Sequence, residues 1–322
     1  MGEIRKDYIL DRWVIIAPNR SKRPQQFAQQ FEKRPARRQS HEEARSYCFF
    51  CPGNEETTPK EIGRIEKDGK WLIRWIPNKF ASLEPVGQFD IRTDNTFYTF
   101  SGAYGHHEII IESPDHDLQL ADMPPKEIEL VLDVYKKRIE DLMLKPHIRF
   151  VDIFKNSGER GGTSILHTHS QVMAQNHMPR LVRDELEAFK KYPHCPYCDI
   201  IEREKGSFRR CFENDGCVAF APYASRFNYE VWIFPKEHVK NLSEVKDLGS
   251  FAEILHLVLG RIKELDASYN FFLHYSPVDD FHFHMEVCPR ISTLAGFELS
   301  TDEVINTVSP EDAAGFYRDE KA

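Results

Sequence analysis

Short apolar runs typical of strands alternate along this chain with two longer segments of helical spacing. The runs that predict strands are WLIRWIPN, HEIIIES, IRFVDIFKN, CVAFAPYA, YEVWIFPKEH, FFLHYSP and FHFHMEVCP. Apolar residues recur at helical intervals from about Pro125 to Leu144, where the segment starts at a Pro-Pro pair, and from about Gly249 to Leu265. Hairpin-like strands with one such helix in each half predict an α+β fold, with antiparallel sheets and helices packed on one face.

The same features occur twice along the chain, in the same order. Each half has a Cys-x-x-Cys pair, strand-like runs, a His-x-x-x-Leu, a helix-like segment and a final strand-like run with His-x-His. Such an order is typical of a duplicated unit. We therefore expect two similar halves, residues 1–180 and 181–322, that join in the charged stretch from Arg180 to Lys191. Residues 20–46, which are poor in apolar side chains, are interpreted as an extended arm.

Composition limits the classes of partner. The 322 residues are 41% hydrophobic and 29% charged, with 43 Lys and Arg against 51 Asp and Glu, a net charge of -8. This acidic balance argues against nucleic-acid binding through a broad basic surface, but it allows a small phosphorylated ligand. No apolar stretch approaches the ~20 residues that span a bilayer, and the first residues have no apolar signal core. We expect a cytoplasmic protein that binds no membrane.

Cysteine usage predicts metal binding. The chain has seven cysteines, an odd number, and four of them form two widely separated Cys-x-x-Cys pairs. Two thiolates and two histidines complete a tetrahedral zinc site. The predicted ligands are Cys48, Cys51, His116 and His167 in the first half, and Cys195, Cys198, His238 and His282 in the second. Zinc with four protein ligands has no open position, so both sites are expected to be structural. The other three, Cys211, Cys217 and Cys288, are interpreted as ordinary buried thiols.

The segment NSGERGGTSILHTHSQ carries the candidate chemistry. Side chains alternate along a strand, so His167, His169 and Gln171 are expected to point the same way. With His167 on zinc, His169 is left as a nucleophile for phosphorus, since a neutral imidazole forms a labile phosphorus–nitrogen bond. Gln171 would stabilise the phosphoryl oxygens. The phosphate loop is expected to use backbone or side-chain donors of Asn156, Gly158, Gly161, Gly162 and Ser164.

The second His-x-His has no comparable glycine-rich loop before it and has Glu286 in place of the glutamine. We therefore expect the second half to be a degenerate, structural copy. Only the first half is predicted to be chemically active.

At these residues the chain resembles the galactose-1-phosphate uridylyltransferase family, a branch of the histidine-triad superfamily, over nearly its whole length. The matching segments are RxDYxxDRWVIIAPxRxxRP, CFFCPGNE, WIPNKFASL, GHHEIIIESPDH and HTHSQ. HTHSQ corresponds to the family's His-Pro-His-x-Gln, with Thr168 replacing proline. That replacement and the second Cys-x-x-Cys resemble the branch that includes ADP-glucose phosphorylase.

The resemblance implies roles for individual residues. His169 would be the nucleophile and Gln171 its phosphate-binding partner. The other substrate-binding residues it implies are Arg20 and Arg23 at the sugar phosphate, Asn78 and Phe80 at the nucleoside, Asn156, Gly161, Gly162 and Ser164 at the phosphate, and Glu298 in the family's GFE motif. The family's members are usually homodimers whose active site is completed from the partner chain, so a homodimer is expected here.

Several functions remain open at this point. The first is a UDP-glucose:hexose-1-phosphate uridylyltransferase, which binds a nucleotide sugar and a sugar 1-phosphate. The second is ADP-glucose phosphorylase, with the same intermediate but inorganic phosphate as acceptor. A histidine-triad hydrolase would transfer the nucleotide to water, and a zinc-stabilised binding protein would catalyse nothing. Neither the base nor the acceptor follows from the sequence.

Overall fold

A computed structural model describes residues 3–18, 47–94, 96–278 and 281–320. Its centre is a ten-stranded antiparallel sheet. The strands of this sheet are β3 (Gly63–Lys67), β4 (Lys70–Pro77), β7 (Gly105–Ile111), β8 (Phe150–Ser157), β9 (His169–Gln175), β10 (Arg210–Glu213), β11 (Cys217–Phe220), β12 (Val231–Pro235), β13 (Tyr269–His274) and β14 (His284–Pro289). A two-stranded hairpin of β5 (Arg92–Thr93) and β6 (Thr99–Phe100) extends from the first half. Each of the apolar runs that predicted a strand contributes to the large sheet.

The strand order repeats across the centre of this sheet. The first five strands lie in the order β3-β4-β7-β9-β8, and the other five lie in the order β10-β11-β12-β14-β13. The two series meet where β8 pairs with β13, with Asn156 opposite Asn270. The chain thus folds the duplicated features into one continuous sheet, and the border strands bring residues of one half next to the loop of the other. The boundary at residue 180 stays a prediction.

Two long helices cover one face of the sheet. Helix α1 (Pro125–Met143) starts with the predicted proline, and helix α4 (Leu248–Glu264) is capped by the Asp247 carboxylate, which accepts from Ser250 N–H. They pack on each other and on the strands through apolar residues such as Leu132 and Leu255. Both predicted helices, and the α+β fold with helices against antiparallel strands, are confirmed.

Two shorter helices lie against the opposite face of the second half. Helix α2 (Arg180–Phe189) occupies the predicted junction, and helix α3 (Pro196–Lys205) begins inside the second Cys-x-x-Cys pair. They pack on Phe220, Trp232 and Phe234 in a separate apolar cluster. This face is therefore closed in the second half.

The two ends of the chain meet in a small sheet that the sequence patterns did not reveal. Strand β1 (Glu3–Lys6) pairs with β2 (Trp13–Ile16), and β15 (Val304–Asn306) pairs in parallel with β2. Two further helices, α5 (Gly296–Thr301) and α6 (Pro310–Tyr317), flank β15. The proposed arm at residues 20–46 lies outside the described residues. Among those described, no helix is long and apolar enough to cross a bilayer.

Candidate active site

Both predicted sets of metal ligands converge. Within each set the potential ligand atoms all lie within 4.8 Å of one another. The four residues of the first set are Cys48, Cys51, His116 and His167, and those of the second are Cys195, Cys198, His238 and His282. In the first set His167 Nδ1 is 3.6 Å from each of the two sulfurs. In the second, Cys198 Sγ is 3.2 Å from His238 Nδ1 and 3.6 Å from His282 Nδ1.

These residues fit zinc. Zinc–sulfur and zinc–nitrogen bonds of about 2.3 and 2.0 Å place S and N about 3.6 Å apart at a tetrahedral angle. The tautomers also agree, because His167 Nε2–H donates to the Ser113 carbonyl (2.7 Å) and His282 Nε2–H donates to the Pro235 carbonyl (2.9 Å). Each Nδ1 lone pair is then left for a metal ion. Zinc bound there would join the Cys-x-x-Cys turn to the strand segment that carries His-x-His.

His169 is held with one nitrogen available. Its Nδ1–H donates to the His167 carbonyl (2.9 Å), which leaves the Nε2 lone pair for a substrate. The ring lines a cavity of about 350 Å³ together with Asn156, Gly158 and Thr163. Burial, and after it the Lys155 charge, lowers the pKa of His169. The imidazole is therefore neutral and nucleophilic at neutral pH.

The Cys-x-x-Cys turn also contacts His169. Phe50, between the two cysteines, packs edge-on against His169 at 5.4 Å between ring centroids and against His167 at 6.1 Å. The turn that carries Cys48 and Cys51 therefore supports the orientation of His169 through packing, without a direct bond to it.

A buried ion pair lies behind the strand that begins at His169. Lys155 Nζ donates to Glu112, to Thr168 Oγ1 (2.9 Å) and to the His169 carbonyl (3.0 Å). Glu112 also accepts from the hydroxyls of Thr168, Ser170 and Tyr135. Burial raises the pKa of the Glu112 carboxyl, but the Lys155 charge and the hydrogen bonds outweigh it, and the net shift is downward. The Thr168 hydroxyl thus links the strand that begins at His169 to this ion pair.

We expect Lys155→Met to destabilise the protein by about 3–5 kcal/mol, because it leaves the Glu112 carboxylate buried without its cation. Urea unfolding of Lys155→Met, of Glu112→Gln and of the double variant measures the coupling. The double variant should recover part of the loss. Strictly additive losses would show that the pair contributes no coupling.

Gln171 lies beside His169 with its carbonyl oxygen engaged. The backbone N–H of Ser82 donates to His107 Nδ1 (3.1 Å), so the His107 proton resides on Nε2. His107 Nε2–H then donates to Gln171 Oε1 (2.9 Å), and Asn78 Nδ2 lies 3.0 Å from the same ring nitrogen. Within the described part of the chain the Gln171 NH₂ group has no further hydrogen bond. Its donors are available to a phosphate.

The glycine-rich loop requires its glycines. Gly158 has φ +76°, and a Cβ there would lie 2.2 Å from Ser268 Oγ. A Cβ at Gly161 would lie 2.8 Å from the Tyr269 carbonyl oxygen. The backbone of the loop thus lies in close contact with the start of β13, a strand of the second half. Asn156 and Gly158 line the His169 cavity. Gly161 is buried, whereas Gly162 and Ser164 are exposed.

The other residues predicted to bind substrate lie farther from this cavity or outside the described residues. Asn78 lines a second cavity of about 700 Å³ that also contains Leu83 and His107, while Phe80 is 85% exposed. The Glu298 carboxylate accepts from Ala295 N–H and caps helix α5. Arg20 and Arg23 lie outside the described residues. Their predicted roles, and that of Glu298, stay predictions.

The second His-x-His has the same hydrogen bonds but is fully buried. His284 Nδ1–H donates to the His282 carbonyl (3.1 Å), as in the first half. The ring, however, is fully buried, with Phe234 stacked at 4.4 Å and Tyr197 of α3 at 4.9 Å. Among the described residues His284 Nε2 has no hydrogen bond, and the nearest carboxylate oxygen, Glu286 Oε1, is 3.7 Å away. The His-x-His of the second half is thus covered by helix α3, whereas that of the first half borders a cavity.

Nearby charged groups in the second half compensate one another. His274 pairs with Glu185 of α2, and Arg226 pairs with Glu230 and Glu286.

The three leftover thiols, Cys211, Cys217 and Cys288, are buried as predicted. Burial raises the pKa of Cys217 to about 12, so this thiol is unreactive at neutral pH.

Sequence reasoning missed Lys155, Glu112 and His107. Lys155 lies in an apolar strand run and Glu112 directly follows one, and a charged residue on the buried side of such a run is itself the signal. His107 and Ile109 lie on the same face of β7, and Ile109 is opposite Gln171 on β9. The position of His107 on the Gln171 face could therefore have been predicted from strand periodicity.

The chain is similar to several known proteins. A family model described as the N-terminal domain of galactose-1-phosphate uridyl transferase matches residues 2–179, and a model of a domain of unknown function matches residues 103–315. An ADP-glucose phosphorylase of Arabidopsis thaliana is 34% identical over 98% of this chain and 92% of its own length. A galactose-1-phosphate uridylyltransferase of Thermotoga maritima is 27% identical over 98% of this chain and 97% of its own.

Solved structures agree with these matches. The crystal structure of an ADP-glucose phosphorylase from Arabidopsis thaliana with bound ADP-glucose has a TM-score of 0.83 at 30% identity and covers 100% of both chains. A uridylyltransferase structure has a TM-score of 0.75 at 25% identity and covers 99% of this chain and 98% of the other.

Proposed function

Because the chain belongs to the galactose-1-phosphate uridyl transferase family, we propose that it transfers a nucleotidyl group from a nucleotide sugar through a covalent intermediate on His169 Nε2. The chain is a nucleotidyltransferase. The observation that carries the covalent mechanism is the single available nitrogen of His169, fixed by its own strand and directed to a cavity with a glycine-rich wall.

The reaction divides into two displacements. In the first, Nε2 attacks the α-phosphorus, the bond from phosphorus to the sugar 1-phosphate oxygen breaks, and the sugar 1-phosphate leaves. In the second, an acceptor oxygen attacks the same phosphorus and the bond to Nε2 breaks. Negative charge grows on the phosphoryl oxygens in both steps. The NH₂ groups of Gln171 and Asn156 supply neutral donors for that charge.

The first candidate donor and acceptor are UDP-glucose and a hexose 1-phosphate such as galactose 1-phosphate. Several relatives, including that of Thermotoga maritima, are named galactose-1-phosphate uridylyltransferase. A second candidate, ADP-glucose with inorganic phosphate as acceptor, is favoured by the similarity to the phosphorylase of Arabidopsis thaliana. In either case the cavity that contains Asn78 would take the nucleoside.

Two structural zinc ions and a homodimer complete the proposal. The convergence of two Cys₂His₂ sets supports the zinc ions. The β5–β6 hairpin exposes Ile91, Phe97, Tyr98 and Phe100, an apolar surface suited to a second copy of the chain. Thiolate ligands need a reducing compartment, which supports a cytoplasmic location.

Product analysis by ion-exchange chromatography separates the candidates. With UDP-glucose and galactose 1-phosphate, a uridylyltransferase forms UDP-galactose and glucose 1-phosphate. With ADP-glucose and phosphate, a phosphorylase forms ADP and glucose 1-phosphate. We expect one pair to react with parallel-line, ping-pong kinetics. Free nucleoside monophosphate as the main product would instead identify a hydrolase, and no product from either pair would favour a binding protein.

A further inference from the structure

One side chain of the second half reaches the phosphate loop of the first. Asn270, on β13, donates from Nδ2 to Asn156 Oδ1 (2.8 Å) and to the Gly161 carbonyl (2.7 Å). Its own Oδ1 accepts from Arg290 Nη1 (3.0 Å). Arg290 follows β14 and packs over the Phe227 ring, so this chain of hydrogen bonds begins at residues of the second half.

The chemistry of the donors fixes every amide in this relay. A guanidinium can only donate, so the group of Asn270 that faces Arg290 must be the carbonyl oxygen. The Asn270 NH₂ group then faces Asn156 and Gly161, and its two hydrogens match the two acceptors. The Asn156 oxygen is thereby occupied, and its NH₂ group is the end left for other partners. No other hydrogen bond of the Asn156 side chain is present among the described residues.

We propose that Asn270, oriented by Arg290, is a positioning residue that keeps the NH₂ group of Asn156, rather than its carbonyl oxygen, towards the phosphate bound before His169. This inference rests on the proposed function of the cavity. The degenerate half of the chain thus orients a phosphate donor of the active half.

The shape of the amide group explains why Asn156 needs a neighbouring residue that fixes its orientation. The two ends of an asparagine side chain are nearly equal in size, so packing alone does not select one orientation. An inverted Asn156 would present oxygen to phosphoryl oxygens that gain negative charge in the transition state. Fixing the amide in advance removes that reorganisation from the reaction. The close approach of Gly161 to β13 keeps the relay short, since a side chain there would displace the loop.

Two substitutions at position 270 separate positioning from structural support. Asn270→Ala removes the restraint and lets the Asn156 amide rotate, so the nucleotidylation rate of His169 should fall about 10-fold. Asn270→Asp keeps the size and the contact with Arg290 but can only accept, which inverts the Asn156 amide. We expect Asn270→Asp to lower the rate about 100-fold, the loss typical of removing one donor from a charge-stabilising site.

Quenched-flow labelling of His169 with a nucleotide sugar measures this rate, and calorimetry with UDP and ADP measures the nucleotide Kd. The same substitutions are repeated in an Asn156→Ala background, where Asn270→Asp should cost less than about threefold because its target is gone. Asn214→Asp is the matched control, since Asn214 also donates from Nδ2 to a backbone carbonyl, that of Ser250, beside the edge strand β10. It should leave the rate unchanged.

The inference is overturned if Asn270→Ala impairs the reaction as much as Asn270→Asp, or if Asn270→Asp keeps its full cost without Asn156. In the second case Asn270 would act through the Gly161 backbone alone. A wild-type protein that binds nucleotide but forms no adduct refutes the proposed function. The role of Asn270 is then supported if Asn270→Asp raises the nucleotide Kd more than Asn270→Ala does, and overturned if the two raise it equally. Absence of both binding and adduct overturns both proposals.

Discussion

Replacing His169 with alanine is expected to lower nucleotidyl transfer by at least about 10,000-fold, because no other group can form the intermediate. His169 combines an available Nε2, a fixed ring and a cavity. The His284 ring has the matching backbone hydrogen bond but is fully buried between aromatic rings and cannot replace it. Steady-state turnover with the preferred pair of substrates measures the loss.

His284→Ala is the matched control for this substitution. It removes the corresponding histidine of the second half and should reduce stability through the cavity it creates, while each folded molecule retains transfer. His169→Ala should keep the zinc content and the circular dichroism of the wild type. Appreciable turnover by His169→Ala would refute the proposed mechanism.

The second large effect is expected from the first metal site. Cys48→Ala should lower the free energy of unfolding by more than about 4 kcal/mol, since metal binding and folding are coupled and loss of a ligand weakens both. Cys48 belongs to the turn that supports both His167 and, through Phe50, His169. Activity should therefore fall as a consequence of lost structure. Urea unfolding with metal analysis of the purified protein measures the change.

Cys217→Ala provides the comparison for a buried thiol outside the metal sets. It should cost only about 1 kcal/mol, the loss of a small buried group. The zinc content should be reduced in Cys48→Ala and normal in Cys217→Ala. Full activity and stability after complete removal of zinc would contradict a structural role for the metal.

The sequence predicted those parts of the molecule that repeat. The Cys-x-x-Cys pairs, the two histidines that follow each, and the helices near Pro125 and Gly249 are periodic or duplicated signals. A local pattern is sufficient to predict these features, because each pattern is typical of a strand, a helix or a set of metal ligands. The open and closed copies were also distinguishable, since only the first His-x-His follows a glycine-rich loop.

Other features depend on contacts between distant segments. The parallel pairing of β15 with β2 joins residues about as far apart as the chain allows, and no local spacing announces it. The Lys155–Glu112 pair and the contact of Asn270 with Asn156 each cross between strands, so they become visible only with the register of the sheet. Glu298 shows a limit of prediction from motifs. It lies in a family motif, but its carboxylate also caps helix α5 by accepting from Ala295 N–H.

The central claim is a covalent nucleotidyl group on His169, and intact-protein mass spectrometry tests it directly. Wild-type protein and His169→Ala are mixed separately with UDP-glucose and with ADP-glucose, without acceptor, and quenched at once. We predict a mass increase of one uridylyl or one adenylyl group on the wild type alone, removed again when the matching acceptor is added. An adduct that persists on His169→Ala, or active wild-type protein that turns over substrate with no adduct at any time, would contradict the account.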